Sequence, residues 1–335
     1  MKERFNWNIN KKDTTIEWRY FNFNQENLSG IFSFLAFDLG NANKNCLITE
    51  IFDNGKARGG YKLTKLDQSE IKEGDIKSVG GNSIKWISDS KVRFKGEVDD
   101  ISWNLLYTKK GNLELPVVSK KFSLNRHISW KVMMPSAKVK GNLKIGKKTY
   151  DINADGYLDG NWGNWYVYDI KWNWLQLSSW KNSKNHFVVL LGELSNLKAG
   201  KLFIIYNGEI IEFSREKKEF TVIHRRWDSK NDPVYPKETI ISAENKRYKA
   251  QIKAKVKNLD EIIKRNVFPL PDIFLFEENM ECCIKLEDKK SSKILIENAE
   301  GFSEYARGSY KRIRDVIAEL RKKEPRKDKS QVDIT

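Results

Sequence analysis

From residue 137 to residue 145 apolar and polar side chains trade places along the chain. Ala137, Val139, Leu143 and Ile145 share one parity, and Lys138, Lys140, Asn142 and Lys144 the other. A period of two is the mark of a strand with one buried face. A two-residue turn at Gly146-Lys147 would pair residue 145 with 148, 143 with 150 and 139 with 154. Cross-strand partners share a face. On the second strand the even residues therefore point inward: Tyr150, Ile152, Ala154, Gly156, Leu158, Gly160 and Trp162. Tyr157, Asp159 and Asn161 fall on the opposite face, toward solvent or a second unit.

The same rhythm runs along the chain. Asn54-Gly55, Gly59-Gly60, Gly80-Gly81, Gly111-Asn112 and Asn207-Gly208 punctuate short runs of Ile, Val, Phe, Tyr and Trp. The clearest hairpin joins residues 202–206 to 209–213 through Asn207-Gly208, which supplies the two left-handed positions of a type I′ turn. Many short strands with Gly-rich turns predict an all-β protein, and closure into barrels would remove exposed edges. Helical signals are few. Residues 258–266 suggest a turn or two. From about 303 to 323, Tyr310, Ile313, Ile317 and Leu320 recur at helical spacing, predicting a C-terminal amphipathic helix.

Length and charge refine this picture. The chain has 335 residues, enough for two domains, and eleven tryptophans, which suit apolar cavities as well as cores. Its net charge of +16 favours anionic partners or simply a lysine-rich solubilising surface. Between Arg307 and Lys329 ten Lys or Arg face four Asp or Glu. That basic helix could pack across a barrel or make peripheral contact with an anionic membrane. Nucleic-acid binding is disfavoured, since no recognition signature accompanies the charge and the aromatics take the inward parity. The first residues carry no secretory h-region, and three cysteines form no disulfide framework, so a cytoplasmic setting is expected. The three histidines are scattered, so no metal site is expected.

Three segments carry a resemblance. Glu17-Trp18-Arg19-Tyr20-Phe21 resembles a Glu-Trp-Trp-Tyr-Phe opening strand, with Arg19 in place of the second Trp. Gly156-Tyr157-Leu158-Asp159-Gly160-Asn161-Trp162-Gly163 resembles Gly-Tyr-His-Asp-His-Asn-Trp-Gly, with both histidines replaced, and Gly301-Phe302-Ser303-Glu304-Tyr305 resembles a closing Gly-x-x-Glu-Tyr. Together they resemble the carotenoid 1,2-hydratase (hydroxyneurosporene synthase) and AttH-like family. The resemblance implies two lipocalin-like barrels in tandem, over residues 1–163 and 164–308, with a basic helical tail over 309–335. It also implies a cavity for a long apolar molecule and, in the hydratases, water addition to an isoprene double bond with no cofactor.

Such chemistry needs an acid kept neutral by burial, aromatic faces to hold a cation, and a dry cavity. Asp159 and Glu193 are the candidate acids. Asp159 has the motif position but the wrong parity for the first barrel, and can equally be a structural carboxylate. Glu193, in Leu191-Gly192-Glu193, can equally be a surface residue beside a turn. The candidate ligand wall comprises Trp18, Tyr20, Leu158, Gly160 and Trp162, joined by the alternating Tyr166, Tyr168, Trp172 and Trp174. Binding or carriage of an isoprenoid or other long apolar lipid fits the lost histidines. The alternative is a cofactor-independent hydratase, cyclase or isomerase acting on a polyene double bond.

Overall fold

A computed structural model of the chain describes residues 7–8, 14–37, 44–65, 74–77, 81–165, 170–179, 187–227, 235–261 and 274–307. Among these, the first sheet is built from β1 (Ile16–Gln25), β2 (Leu28–Phe37), β3 (Lys44–Asp53), β4 (Lys56–Lys65), β5 (Ile76–Lys77), β6 (Ser83–Ser88), β7 (Lys91–Val98), β8 (Ile101–Lys109), β9 (Val118–Ser123), β10 (Arg126–Ile145) and β11 (Lys148–Asn164). The second comprises β12 (Trp172–Ser179), β13 (Phe187–Leu194), β14 (Ala199–Tyr206), β15 (Glu209–Ser214), β16 (Phe220–Trp227), β17 (Pro236–Glu244), β18 (Tyr248–Glu261), β19 (Phe274–Asp288) and β20 (Lys293–Arg307). The architecture is all-β: two antiparallel sheets that curl round separate cores as tandem lipocalin-like barrels. The spatial orders are β4-β3-β2-β1-β11-β10-β8-β7-β6-β5, with β9 on β10, and β15-β14-β13-β12-β20-β19-β18-β17-β16.

Each sheet closes on side chains of one parity. The first core holds Phe21, Phe23, Phe32, Phe94, Trp103, Tyr107, Val139 and Leu158. The second holds Leu175, Leu177, Val189, Leu191, Leu202, Ile252 and Ile284. The opposite parity of the central strands is buried as well, because the two barrels pack against each other there. Tyr20, Phe52, Trp130, Tyr157, Trp172, Trp174, Phe203 and Phe302 meet in this seam. Strands buried on both faces cannot show a clean polar alternation, which is why aromatic residues of both parities, Trp18, Tyr20, Phe21 and Phe23, are found along β1.

Register follows the turns. The Gly146-Lys147 hairpin pairs Ile145 with Lys148, Leu143 with Tyr150 and Val139 with Ala154. At Asn207 and Gly208 φ is +48° and +83°, as the type I′ turn requires. The helical turn suggested by residues 258–266 is corrected in its described part. Asn258–Glu261 continue β18, paired to residues 276–279 beyond a bulge between Val256 and Asn258, so ladder pairing overrides a weak local signal. The C-terminal amphipathic helix lies outside the described residues. No helix among those described is long and apolar enough to cross a membrane.

Candidate functional site

The motif strand β11 decides where the site lies. Leu158 is fully buried in the first barrel, while Tyr157 and Asp159 emerge from the other face into the seam. Parity thus turns Asp159 away from the first barrel, as the alternation requires. The cavity it meets is between the barrels and not inside the first one. Trp18 and Tyr20 come from β1, Trp130 from β10, Trp172, Asn173 and Trp174 from β12, and Glu304 from β20. With Asp159, Asn161, Trp165, Glu193 and others they line a cavity of about 90 Å³.

Asp159 is 3% exposed. Its Oδ2 accepts hydrogen bonds from Trp130 Nε1 at 2.7 Å, Tyr157 Oη at 2.8 Å and Trp174 Nε1 at 3.2 Å. All three donors converge on one oxygen. A proton on this carboxyl therefore resides on Oδ1, the oxygen with no donor against it among the described residues. Burial pushes the carboxyl up to about 7, the three donors pull it partly back, and the charge of nearby Glu304 pushes it up further. Burial likewise drives the Tyr157 phenol well above the usual tyrosine range, so it stays a hydrogen-bond donor. Glu304 Oε2 itself accepts from Trp172 Nε1 at 2.9 Å.

Glu193 is buried, not on the surface, and it too borders the cavity. Both its oxygens are engaged: Asn173 Nδ2 donates to Oε2 at 2.7 Å and Arg215 Nε to Oε1 at 2.7 Å. Because the carboxylate only accepts, the Asn173 amide must turn its Oδ1 to His224 Nε2, 3.0 Å away. That nitrogen then donates, and Nδ1 shares a hydrogen bond with Thr239 Oγ1 at 3.1 Å. A carboxylate tied this tightly links β12, β13 and the segment after β15. Asp159, with no cation bonded to it among the described residues, is the carboxyl suited to hold a proton.

The structure brings Trp18, Tyr20, Asp159, Trp172, Trp174 and Glu193 to one cavity. Leu158 and Gly160 are not in its wall. Leu158 packs in the first core, and a Cβ on Gly160 would lie 2.5 Å from Arg19 Nη1 and 2.7 Å from Met133 Cε. Even parity sends both residues into the first barrel. Trp162 is half-buried and also away from the cavity. Tyr166 and Tyr168 lie outside the described residues. Trp130, Asn161, Trp165 and Glu304 were not selected as site residues by the sequence pattern. The signal for them was register: Trp130 pairs with Asn161, and Trp174 with Glu304.

Gly192 sets the position of Trp130. A Cβ there would meet the Trp130 ring at 2.9 and 3.0 Å, tighter than ordinary contact. Gly192→Ala should displace the indole by a few tenths of an ångström and lengthen its bond to Asp159. Losing that donor raises the Asp159 pKa further. The expected result is an Asp159 carboxyl that titrates at higher pH than in the wild type, followed through its carbonyl stretch in infrared difference spectra. An unmoved titration would show that Trp130 does not tune the carboxyl.

Solved structures share this fold. A protein described as AttH (NE1406) from Nitrosomonas europaea matches with a TM-score of 0.67 at 14% identity, over 92% of this chain and 96% of that one. Kievitone hydratase from Nectria haematococca matches with a TM-score of 0.62 at 14% identity, over 92% of each chain. CghA, in its structure with Sch210972, matches with a TM-score of 0.60 at 12% identity, over 90% of each. No protein-family model and no curated protein matches the chain. Identities this low carry the fold across, and activity must be argued from the site.

Proposed function

We propose that the seam cavity is the active site of a cofactor-independent enzyme that protonates a carbon–carbon double bond of an apolar, isoprenoid-like molecule. The observation that carries this reading is Asp159: a carboxyl with a pKa near 7, buried among indoles in the cavity wall, with no donor on its Oδ1 among the described residues. A general acid works best when its pKa lies near the working pH.

In the reaction the C–H bond forms as the Asp159 Oδ1–H bond breaks, and the alkene's π electrons accept the proton. The carboxylate left behind is stabilised by the three donors already aimed at Oδ2. The resulting cation is held by the faces of Trp18, Tyr20 and Trp172, whose ring quadrupoles attract positive charge. Glu304 is the base. It takes a proton either from a water that adds to the cation, giving an alcohol, or from an adjacent carbon, giving a shifted double bond. Either outcome returns one proton for each proton spent, and solvent exchange resets Asp159. The resemblance of the motif segments to the carotenoid 1,2-hydratase family and the shared fold with kievitone hydratase support hydration.

Carriage of an apolar lipid is the second reading, favoured by the aromatic walls. The cavity volume of about 90 Å³ limits it. Pockets that enclose whole drug-sized ligands are typically ~300–1,000 Å³, so this space holds the end of a long chain and not all of it. Holding one end suits chemistry at a terminal double bond better than storage.

The test is incubation with isoprenoid alkenes in D₂O. The wild type should place deuterium on carbon in a product that Asp159→Asn does not form. Equal incorporation by both proteins, or none by either, would remove acid catalysis. Turnover should also fall as pH rises through about 7, because the acid must be protonated. A rate that climbs through that range would make Asp159 a base.

A further inference from the structure

Asn161 and Trp165, both in the cavity wall, each carry a polar atom without a hydrogen-bond partner among the described residues. Asn161 is 8% exposed and Trp165 1%. Neither Asn161 Oδ1 nor Trp165 Nε1 makes a hydrogen bond among the described residues, and both residues line the same cavity. One is an acceptor and the other a donor. Three other indoles of the wall are satisfied: Trp130 and Trp174 donate to Asp159, and Trp172 donates to Glu304. A buried polar group without a partner destabilises the fold, and native proteins retain few of them without a reason.

We infer that this acceptor and donor recognise a hydroxyl group, so that the substrate is an unsaturated alcohol and not a plain hydrocarbon. A hydroxyl oxygen does both jobs with one atom, accepting from Trp165 Nε1 and donating its proton to Asn161 Oδ1. A ketone oxygen satisfies only Trp165, and a hydrocarbon satisfies neither. Register supports a shared locus. Asn161 pairs with Trp18 across β1–β11, and the Trp18 ring packs edge-on against Trp165 at 5.2 Å. Trp18 is thus the common neighbour of a polar corner, Asn161 and Trp165, while the Tyr20 and Trp174 rings of the same wall meet at 4.8 Å. The hydroxyl would anchor the molecule in that corner while its double bond reaches the acid. The inference rests on the seam cavity being a substrate site.

Equilibrium binding of three probes with one carbon skeleton tests it: carveol, carvone and limonene, followed by tryptophan quenching and calorimetry. The expected order is the alcohol tightest, the ketone next and the hydrocarbon weakest, with about tenfold between the ends of the series. Asn161→Leu should erase the advantage of alcohol over ketone, and Trp165→Phe that of ketone over hydrocarbon. Asn161→Leu should also raise the Tm of the unliganded protein, since it replaces an unsatisfied amide by an apolar group of like size. Equal affinities, a ketone that binds tightest, or no binding of any probe would overturn the inference. So would a lower Tm for Asn161→Leu, which would give the amide a structural role. Binding needs no proton transfer, so a preference for carveol without deuterium incorporation would uphold this inference and remove acid catalysis.

Discussion

Asp159→Asn should leave a folded protein whose turnover is lower by about 10²- to 10⁴-fold, the usual contribution of a general acid. The amide oxygen can still accept from Trp130, Tyr157 and Trp174 as Oδ2 does. Only the acidic proton on Oδ1 is lost. Stability gives a second readout independent of substrate. The folded carboxyl has a pKa of about 7 against an ordinary value of 3.8. Between those values the native state binds a proton that the unfolded chain has released. Stability from this group is therefore fully present below pH 4 and is lost as pH rises through 7, by roughly 4 kcal/mol at most. Urea unfolding at a series of pH values should show that decline in the wild type and a flatter curve in Asp159→Asn. Parallel curves would mean that the carboxyl is ionised throughout, and the acid role would fall with it.

The position of this acid shows what the sequence could and could not deliver. Alternation and one Gly-Lys turn are enough to place every side chain of β10's second half and β11, because a hairpin with a fixed turn has a fixed register. Parity then says which face Asp159 occupies but not what lies against that face. Two barrels that bury their outer faces on each other create a third apolar layer, and nothing in a period-two pattern separates that layer from a barrel interior. Leu158 and Gly160 were placed in the ligand wall for that reason. Trp130 was missed because it lies beyond two bulges in β10 that break the register carried from the turn, and Glu304 because it joins the site through pairing between the distant strands β12 and β20. Glu193 was visible in sequence, yet its partners, Asn173 across from it on β12 and Arg215 after β15, are brought together only by the pairing and curl of the second sheet.

The departures from the hydratase pattern inside the first barrel are coupled, and their coupling predicts a large loss of stability in Glu17→Ala. Arg19 stands where the family's second tryptophan is usual, and Gly160 where a histidine is. The two residues are register partners on neighbouring strands. With no side chain at 160, the arginine folds into that space, 4.5 Å from the Trp7 ring centre. Its guanidinium is bonded to the Glu17 carboxylate at 2.7 Å, with the two side chains 3% and 0% exposed. Glu17 also accepts from the Asn8 amide groups, tying down the chain before β1. A buried pair adds little net stability over an apolar replacement, but removing one partner leaves a desolvated charge. Measured costs of that kind are about 3–5 kcal/mol. Urea unfolding of Glu17→Ala should show a loss of this size, and adding Arg19→Met should recover most of it. A Glu17→Ala loss below about 1 kcal/mol would mean that the guanidinium reaches water. By the same geometry, restoring the motif with Gly160→His alone should destabilise the protein, because Arg19 and Met133 already fill the space. Gly160→His should be tolerated better with Arg19→Trp than without it, since removing the guanidinium from the space beside residue 160 makes room for the imidazole.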